Sequence, residues 1–99
     1  MKKGYWIGHV DVTEAEAYGQ YARLAKQAVH KYGGKYLVRA GQNEAPEGEW
    51  RARAVMIEFD SYQRARDCYA SPEYQAAKEL REHAAHAELL IIEGSDEDA

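Results

Sequence analysis

The spacing of apolar residues predicts a strand followed by a long helix at the start of the chain. Residues 5–12 are rich in Tyr, Trp, Ile and Val and show no helical period, which is typical of a strand. Thr13 and Glu16 form a T-x-x-E sequence, which predicts a capping box at a helix start. Gly33 and Gly34 are expected to end this helix. Its apolar stripe recurs at steps of three and four residues: Tyr18, Tyr21, Ala25, Ala28 and Tyr32.

The remaining pattern predicts three more strands and a second helical region. Residues 36–40 and 51–59 read as strands joined by a polar loop, and residues 88–93 read as the last strand. Asp60 and Ser61 provide an N-cap for the second helix. The Ser71-Pro72 pair interrupts this helix, because Pro72 disfavours helical backbone at Ser71 but suits the first turn of a new helix. We therefore expect two consecutive helical pieces.

The element order β-α-β-β-α-β is the split pattern of ferredoxin-like domains. It predicts an α+β fold in which both helical regions lie on one face of an antiparallel sheet. With 99 residues, the chain has room for one domain, which we assign to residues 1–94. Residues 95–99 form an acidic segment that we expect to be disordered.

Apolar residues occupy both faces of the predicted strands, although two helices can cover only one face. In the third strand, Val55, Ile57 and Phe59 point to one side, while Ala54 and Met56 point to the other. Leaving several such side chains in water would cost several kcal/mol, at about 25 cal/mol per Å². We expect a homodimer formed by sheet-to-sheet packing. The alternative is a monomer with a partly apolar outer face.

Composition and charge restrict the partners. A hydrophobic content of 45% and a charged content of 30% are typical of a globular protein. The net charge of −4 provides no basic surface for nucleic acid or an anionic membrane. The apolar run 89–92 is too short to span a bilayer. Because Cys68 is the single cysteine, no internal disulfide can form, and we expect a cytoplasmic protein.

Four segments resemble the family called domain of unknown function 1330. They are Lys-Gly-Tyr-Trp-Ile at 3–7, Tyr-Gly-Gly-Lys-Tyr-Leu-Val-Arg at 32–39, Val-Met-Ile-Glu-Phe at 55–59 and Cys-Tyr-Ala-Ser-Pro-Glu-Tyr-Gln at 68–75. The resemblance implies the dimeric α/β-barrel fold, in which two ferredoxin-like sheets pack face to face. That superfamily includes cofactor-free monooxygenases, muconolactone isomerases and haem-binding members, and the family itself has no general activity. Ala40 stands where the family usually has glycine, and Asp60 where it usually has proline.

His9 and Arg39 are the first candidates for chemistry. His9 lies within the first strand and could act as a general base, or it could bond to Asp11 or a cross-strand neighbour. Arg39 could bind a substrate carboxylate bidentately, with Glu58 as a further ligand-binding residue. Alternatively, Arg39 and Glu58 form a cross-strand ion pair, because the hairpin register cannot be read from the sequence.

Tyrosines near the Ser71-Pro72 break form the second group of candidates. Tyr69 could act as an acid or hydrogen-bond donor, while Tyr74 and Arg81 could bind a ligand. The alternative is that these tyrosines bridge the core and its rim. His83 and His86 have a spacing that can hold a metal, but they stand near a helix end without a third ligand, so we predict no metal site.

Two functions follow as hypotheses. The first is a cofactor-free enzyme acting on a small organic acid or an enolisable aromatic compound, with His9, Arg39 and Tyr69 as catalytic residues. The second is a non-catalytic module that binds or senses a small ligand. The remaining alternative is a structural or interaction protein with no pocket. No cofactor is expected in any of these cases, and fold alone does not decide between them.

Overall fold

A computed structural model describes residues 2–96 of the chain. It has the predicted α+β architecture and element order, with the second helical region divided in two. The last strand starts three residues earlier than predicted, and the third strand starts two residues later. The elements are β1 (Gly4–Val12), α1 (Ala15–Lys31), β2 (Lys35–Arg39), β3 (Arg53–Phe59), α2 (Tyr62–Ala70), α3 (Pro72–Glu82) and β4 (Ala85–Glu93).

The acidic segment at the end of the chain is only partly described. Residues 95 and 96 are exposed and follow β4 without regular structure. Residues 97–99, for which disorder is predicted, lie outside the described residues. No helix within residues 2–96 has the length and apolar character needed to cross a membrane.

The four strands form one antiparallel sheet in the order β2-β3-β1-β4, which is the ferredoxin-like topology. The register places Trp6 between Ile57 of β3 and Ile91 of β4 on one face. It places Ile7 between Met56 and Leu90 on the opposite face. Both faces of the sheet are therefore apolar at its centre, as the sequence predicts.

The core lies between the Trp6 face and the helices. Trp6 is only 3% exposed, and its Nε1–H donates a hydrogen bond to the Ala65 carbonyl of α2 at 2.9 Å. Its ring packs against Phe59 of β3 and Tyr74 of α3, with centroid distances of 5.3 and 4.8 Å. Val29 of α1 is fully buried in the same cluster. All three helices thus contribute to the core on this face of the sheet.

The opposite face carries no helix, and its apolar side chains remain exposed. Leu90 is 54% exposed, and Ile92 and Val38 are also exposed around the half-buried Ile7 and Met56. We call this surface the outer face. Large contiguous apolar patches are uncommon on the surfaces of monomeric proteins.

Serine side chains cap the two later helices, and the cap predicted at Ser61 is confirmed. Ser61 accepts a hydrogen bond from the first turn of α2. Ser71 Oγ accepts the Tyr74 N–H at 3.1 Å and donates to the Cys68 carbonyl at 2.7 Å. Pro72 occupies the first turn of α3. One hydroxyl group therefore bonds a free carbonyl at the end of α2 and a free N–H at the start of α3.

The capping box at the start of α1 is a wrong prediction. The N-cap residue is Glu14, and no side chain caps this helix. Instead, the N–H groups of Thr13 and Glu14 both donate to the Ala84 carbonyl, at 2.8 and 3.0 Å. Backbone hydrogen bonds to the connection between α3 and β4 take the place of the predicted contact between Thr13 and Glu16.

Replacing Ala40 by Gly should stabilise the fold. Ala40 has a φ of 58°, in the left-handed region where a side chain costs about 1–2 kcal/mol. Glycine removes this cost, but its greater backbone freedom stabilises the unfolded state by about 0.4–1 kcal/mol. We expect the free energy of unfolding to rise by roughly 0.5–1 kcal/mol in urea titrations. The matched control is Ala76→Gly in α3, which should lower the free energy of unfolding by about 1 kcal/mol. A loss of stability in both variants would contradict the claim that the positive φ of Ala40 destabilises the fold.

Candidate functional site

A cavity of about 60 Å³ lies between the sheet and the helices α1 and α3. The cavity therefore suits a small ligand, or one end of a larger one that extends into solvent. Trp6 and Ile57 belong to its apolar lining. Four tyrosines and three arginines form its polar part: Tyr18, Tyr21, Tyr36, Tyr74, Arg39, Arg53 and Arg81.

A bulge in β2 brings Arg39 to the cavity. Tyr36 pairs with Ile57, but two residues further along β2, Val38 pairs with Met56, so Leu37 is one extra residue. Without the bulge, Tyr36 and Arg39 would point to opposite faces, because their spacing is odd. With it, the Arg39 guanidinium lies 4.6 Å from the centroid of the Tyr36 ring, on the cavity side. Arg39 is exposed, which places it where the cavity meets solvent.

Arg53 of β3 and Arg81 of α3 face the cavity from the sheet and from the helix layer. The Arg53 guanidinium lies 5.4 Å from the Tyr18 ring centroid, and that of Arg81 lies 5.4 Å from the Tyr21 centroid. The Nε atoms of both arginines are buried, with no hydrogen-bond partner among the described residues. Within residues 2–96, neither forms an ion pair. Buried donors without acceptors are uncommon in proteins, and the charges of both guanidinium groups are not neutralised by any described carboxylate.

Three of the cavity tyrosines, Tyr21, Tyr36 and Tyr74, are protonated donors. The hydroxyl groups of Tyr21 and Tyr74 lie 2.9 Å apart and share a hydrogen bond between α1 and α3. Burial raises the pKa of both phenols above the ordinary value. Burial also raises the pKa of Tyr36 to about 12, although Arg39 acts in the opposite direction. At neutral pH these phenols can donate hydrogen bonds, and they do not neutralise the arginines.

The nearest carboxylate is engaged elsewhere. Glu88 borders the cavity, but its two oxygens accept hydrogen bonds from the Arg51 guanidinium at 2.6 and 3.0 Å. These bonds lower the pKa of Glu88. Arg51 also bonds to Asp11 at 3.0 Å, which fixes the loop before β3 to β1. Arg51, Asp11 and Glu88 together carry one net negative charge, so the three arginines of the cavity leave it positive overall.

His9 lies on the outer face, so the structure does not bring it together with Arg39. Its Nδ1 accepts the Arg51 backbone N–H at 3.0 Å, and its Nε2 lies 3.0 Å from the Glu88 carboxylate. The ring of Trp50 packs edge-on against the imidazole at 4.9 Å. The lone pair of Nδ1 is thus occupied by a backbone amide, and Nε2 carries a proton toward Glu88. The cross-strand interpretation of His9 is the one that the structure supports.

The predicted ion pair between Arg39 and Glu58 does not form. Glu58 points to the outer face, where it accepts a hydrogen bond from the Tyr5 hydroxyl at 3.1 Å. Its partner across the hairpin is Lys35, whereas Arg39 stands opposite Val55 on the cavity face. The bulge at Leu37 separates the two side chains.

Tyr69 lies in the core beside the cavity and does not line it. Its ring packs against Tyr74 and Trp6, with centroid distances of 5.3 and 6.1 Å. His83 ends α3 and His86 lies in β4, so they do not share a helix face. Within residues 2–96, no three His, Cys, Asp or Glu side chains are grouped to hold a metal.

The structure thus groups three of the predicted site residues: Arg39, Tyr74 and Arg81. Sequence reasoning missed Arg53, although its phase in β3 matches that of Val55 and Ile57, which face the helices. An arginine in step with core-facing positions is the signal that could have identified it. The sequence carries no such signal for Tyr18, Tyr21 and Tyr36, because tyrosines at these positions would fit equally well into a packed core.

Comparison with known protein families identifies the family of this chain. The model for the family described as domain of unknown function (DUF1330) matches residues 3–95, and the chain therefore belongs to this family. No curated protein matches the chain.

Solved structures share the fold at low sequence identity. The RPA0582 protein of unknown function from Rhodopseudomonas palustris is 20% identical, with a TM-score of 0.73 over 92% of this chain and 81% of that chain. SnoaB, a cofactor-independent oxygenase from Streptomyces nogalater, is 10% identical, with a TM-score of 0.66 over 93% and 92%. A dimeric ferredoxin-like protein of unknown function from Thermobifida fusca is 13% identical, with a TM-score of 0.53 over 92% and 90%. At these identities, the likeness concerns the fold alone.

Proposed function

We propose that this protein binds a small organic acid, as its anion, in the cavity between the sheet and helices α1 and α3. The observation that carries the proposal is the set of three guanidinium groups, from Arg39, Arg53 and Arg81, at one cavity without a carboxylate partner among the described residues. Guanidinium groups bind carboxylates through paired, charge-assisted hydrogen bonds.

Cavity size and protonation narrow the ligand class. A volume of about 60 Å³ is well below the roughly 300–1,000 Å³ of most small-molecule pockets, which favours a ligand with few non-hydrogen atoms. Because one hydroxyl of the Tyr21–Tyr74 pair donates to the other, the pair adds one neutral donor for a second oxygen of the ligand. The net charge of −4 means that the positive potential is local to the cavity and is no property of the whole surface.

The Arg53→Gln variant should bind propionate at least about tenfold more weakly than the unmodified protein. A hydrogen bond to a charged group contributes about 1.5–3 kcal/mol, and glutamine keeps much of the volume of arginine without its charge. The measurement is isothermal titration calorimetry with propionate, and with propionamide as the neutral analogue of the same shape. The matched control is Arg66→Gln, because the Arg66 guanidinium also stacks on a tyrosine, at 5.8 Å from the Tyr62 ring, but lies outside the cavity.

Two outcomes would contradict the proposal. One is equal affinity for propionate and propionamide in the unmodified protein, because the charge would then contribute nothing. The other is an equal loss of affinity in Arg53→Gln and Arg66→Gln, because the effect would then not depend on the cavity. Far-UV circular dichroism of both variants separates a loss of binding from a loss of folding.

Turnover of the bound acid is a second candidate function. The hydrogen-bonded Tyr21 and Tyr74 hydroxyls favour it, because a phenol pair at a cavity can deliver a proton, while Arg39 can stabilise an enolate oxygen. No described cavity residue offers a free basic group, so water or the ligand itself would remove the substrate proton. Proton exchange at the α-carbon of the acid in D2O, followed by NMR, distinguishes the candidates: exchange faster than in buffer indicates an enzyme, and an unchanged rate indicates a binding module.

We also propose that the protein is a homodimer in which two outer faces pack sheet to sheet. Leu90, Ile92 and Val38 are exposed on this face, and a second copy would bury all of them symmetrically. The fold likeness to a dimeric ferredoxin-like protein supports this arrangement. The cavities lie on the other side of each sheet, so each protomer would keep its own ligand site.

A further inference from the structure

We infer that the ligand is a small dianion, of the dicarboxylate class, in which one carboxylate lies against Arg53 and Arg81 and the other against Arg39. This inference rests on the proposed function, since it specifies which acid the cavity takes. Three observations carry it: the charge count of the cavity, the different burial of its arginines, and their spacing along the hairpin.

The charge count leaves a surplus after one carboxylate has bound. The cavity has three guanidinium groups, and the Glu88 carboxylate at its border shares the Arg51 guanidinium with Asp11. Arg51, Asp11 and Glu88 together carry one net negative charge, so a bound monocarboxylate would still leave one positive charge at the cavity. A second carboxylate on the same ligand would neutralise this charge without a second binding event.

The arginines differ in burial, which separates an inner and an outer position. Arg53 and Arg81 are half-buried and have buried Nε atoms without partners, so they form the inner position. Arg39 is exposed and forms the outer position, where the cavity meets solvent. A ligand that fills both positions has its two anionic groups at opposite ends.

The hairpin register places two of the arginines side by side. Arg39 stands opposite Val55, and Arg53 is two residues from Val55 on the same face, so Arg39 and Arg53 are diagonal neighbours. The backbones of diagonal neighbours in an antiparallel pair are roughly 7–8 Å apart, within reach of long side chains. Both guanidinium groups can therefore contact one small ligand, which favours two carboxylates joined by a short carbon chain.

A charge series of constant shape tests this inference. Malonate, malonamate and malonamide carry two, one and no negative charges at neutral pH, and they differ only in carboxylate and amide groups. In calorimetric titrations at constant ionic strength, we expect malonate to bind about tenfold or more tightly than malonamate, and malonamide to bind weakest. Because the chain has a net charge of −4, its overall field opposes a dianion, and such a preference must arise at the cavity.

The variants assign the preference to Arg39. Arg39→Gln should reduce the ratio of malonamate to malonate dissociation constants to about threefold or less, while the control Arg66→Gln should keep it at tenfold or more. If malonamate binds as tightly as malonate in the unmodified protein, the dianion inference is wrong and the organic-acid proposal still stands. If neither anion binds more tightly than malonamide, the organic-acid proposal itself is wrong. A ratio that is unchanged in Arg39→Gln would also overturn the outer position assigned here.

Discussion

Replacing Leu90 by Glu should convert the proposed homodimer into a particle with the mass of one 99-residue chain. Leu90 is 54% exposed in β4 and stands beside Ile7 on the outer face. A two-fold symmetric interface contains every substitution twice, so two carboxylates would be buried among apolar side chains. An unpaired buried ion costs several kcal/mol, and we expect the dissociation constant to rise by at least about 1000-fold.

Light scattering coupled to size-exclusion chromatography, at micromolar concentration, measures this effect. The matched control is Leu24→Glu, because Leu24 is also exposed but belongs to α1, on the other side of the sheet. It should keep the particle mass of the unmodified protein. A single-chain mass for the unmodified protein, or an unchanged dimer in Leu90→Glu, would refute the sheet-to-sheet proposal. Circular dichroism shows whether the variant remains folded as a monomer.

The Trp6→Ala variant should lose about 3–5 kcal/mol of unfolding free energy. Trp6 is 3% exposed and packs against aromatic rings from β3, α2 and α3. Its removal leaves a cavity that these rings can fill only partly, and it deprives the Ala65 carbonyl of a hydrogen bond. Small domains have total stabilities of about 5–15 kcal/mol, so this loss is a large part of the whole. Urea unfolding followed by far-UV circular dichroism measures it.

A milder substitution and a surface control keep this prediction testable if Trp6→Ala does not fold. Trp6→Phe keeps a ring but loses the N–H donor, and it should cost about 1–3 kcal/mol. Tyr62→Ala removes an aromatic ring that is exposed at the start of α2, and it should cost less than about 1 kcal/mol. A loss at Tyr62 equal to that at Trp6 would contradict the central role of the tryptophan.

The fold was predictable from the sequence because its signals are local. The stripe from Tyr18 to Tyr32, the Ser71-Pro72 pair and the hairpin loop each specify an element or a break, and the order of elements then limits the topology. The capping box failed for a non-local reason. The Ala84 carbonyl is distant in sequence but adjacent in space, and it binds the N–H groups of Thr13 and Glu14.

The candidate site was predictable only in part, since it depends on strand register. Arg39 and Glu58 appear equivalent in the sequence, as single charges within apolar strands, yet they lie on opposite faces of the sheet. His9 lies on the outer face with Tyr5 and Ile7, because the three residues are spaced two apart along β1. Which face the helices cover is a tertiary fact that alternation alone does not specify.

The extra residue in β2 has an evolutionary consequence. Strand β2 lies at the edge of the sheet, so a gain or loss of one residue there leaves the pairing of β1 with β3 and β4 intact. After such a length change, the side chains beyond Leu37 that faced the cavity face outward, and those that faced outward face the cavity. Relatives of this chain could thus gain or lose the positive charge of Arg39 at the cavity by an insertion or deletion in this strand, with no substitution in the core. Ligand preference in this fold can diverge through the length of an edge strand while the identities of its residues stay the same.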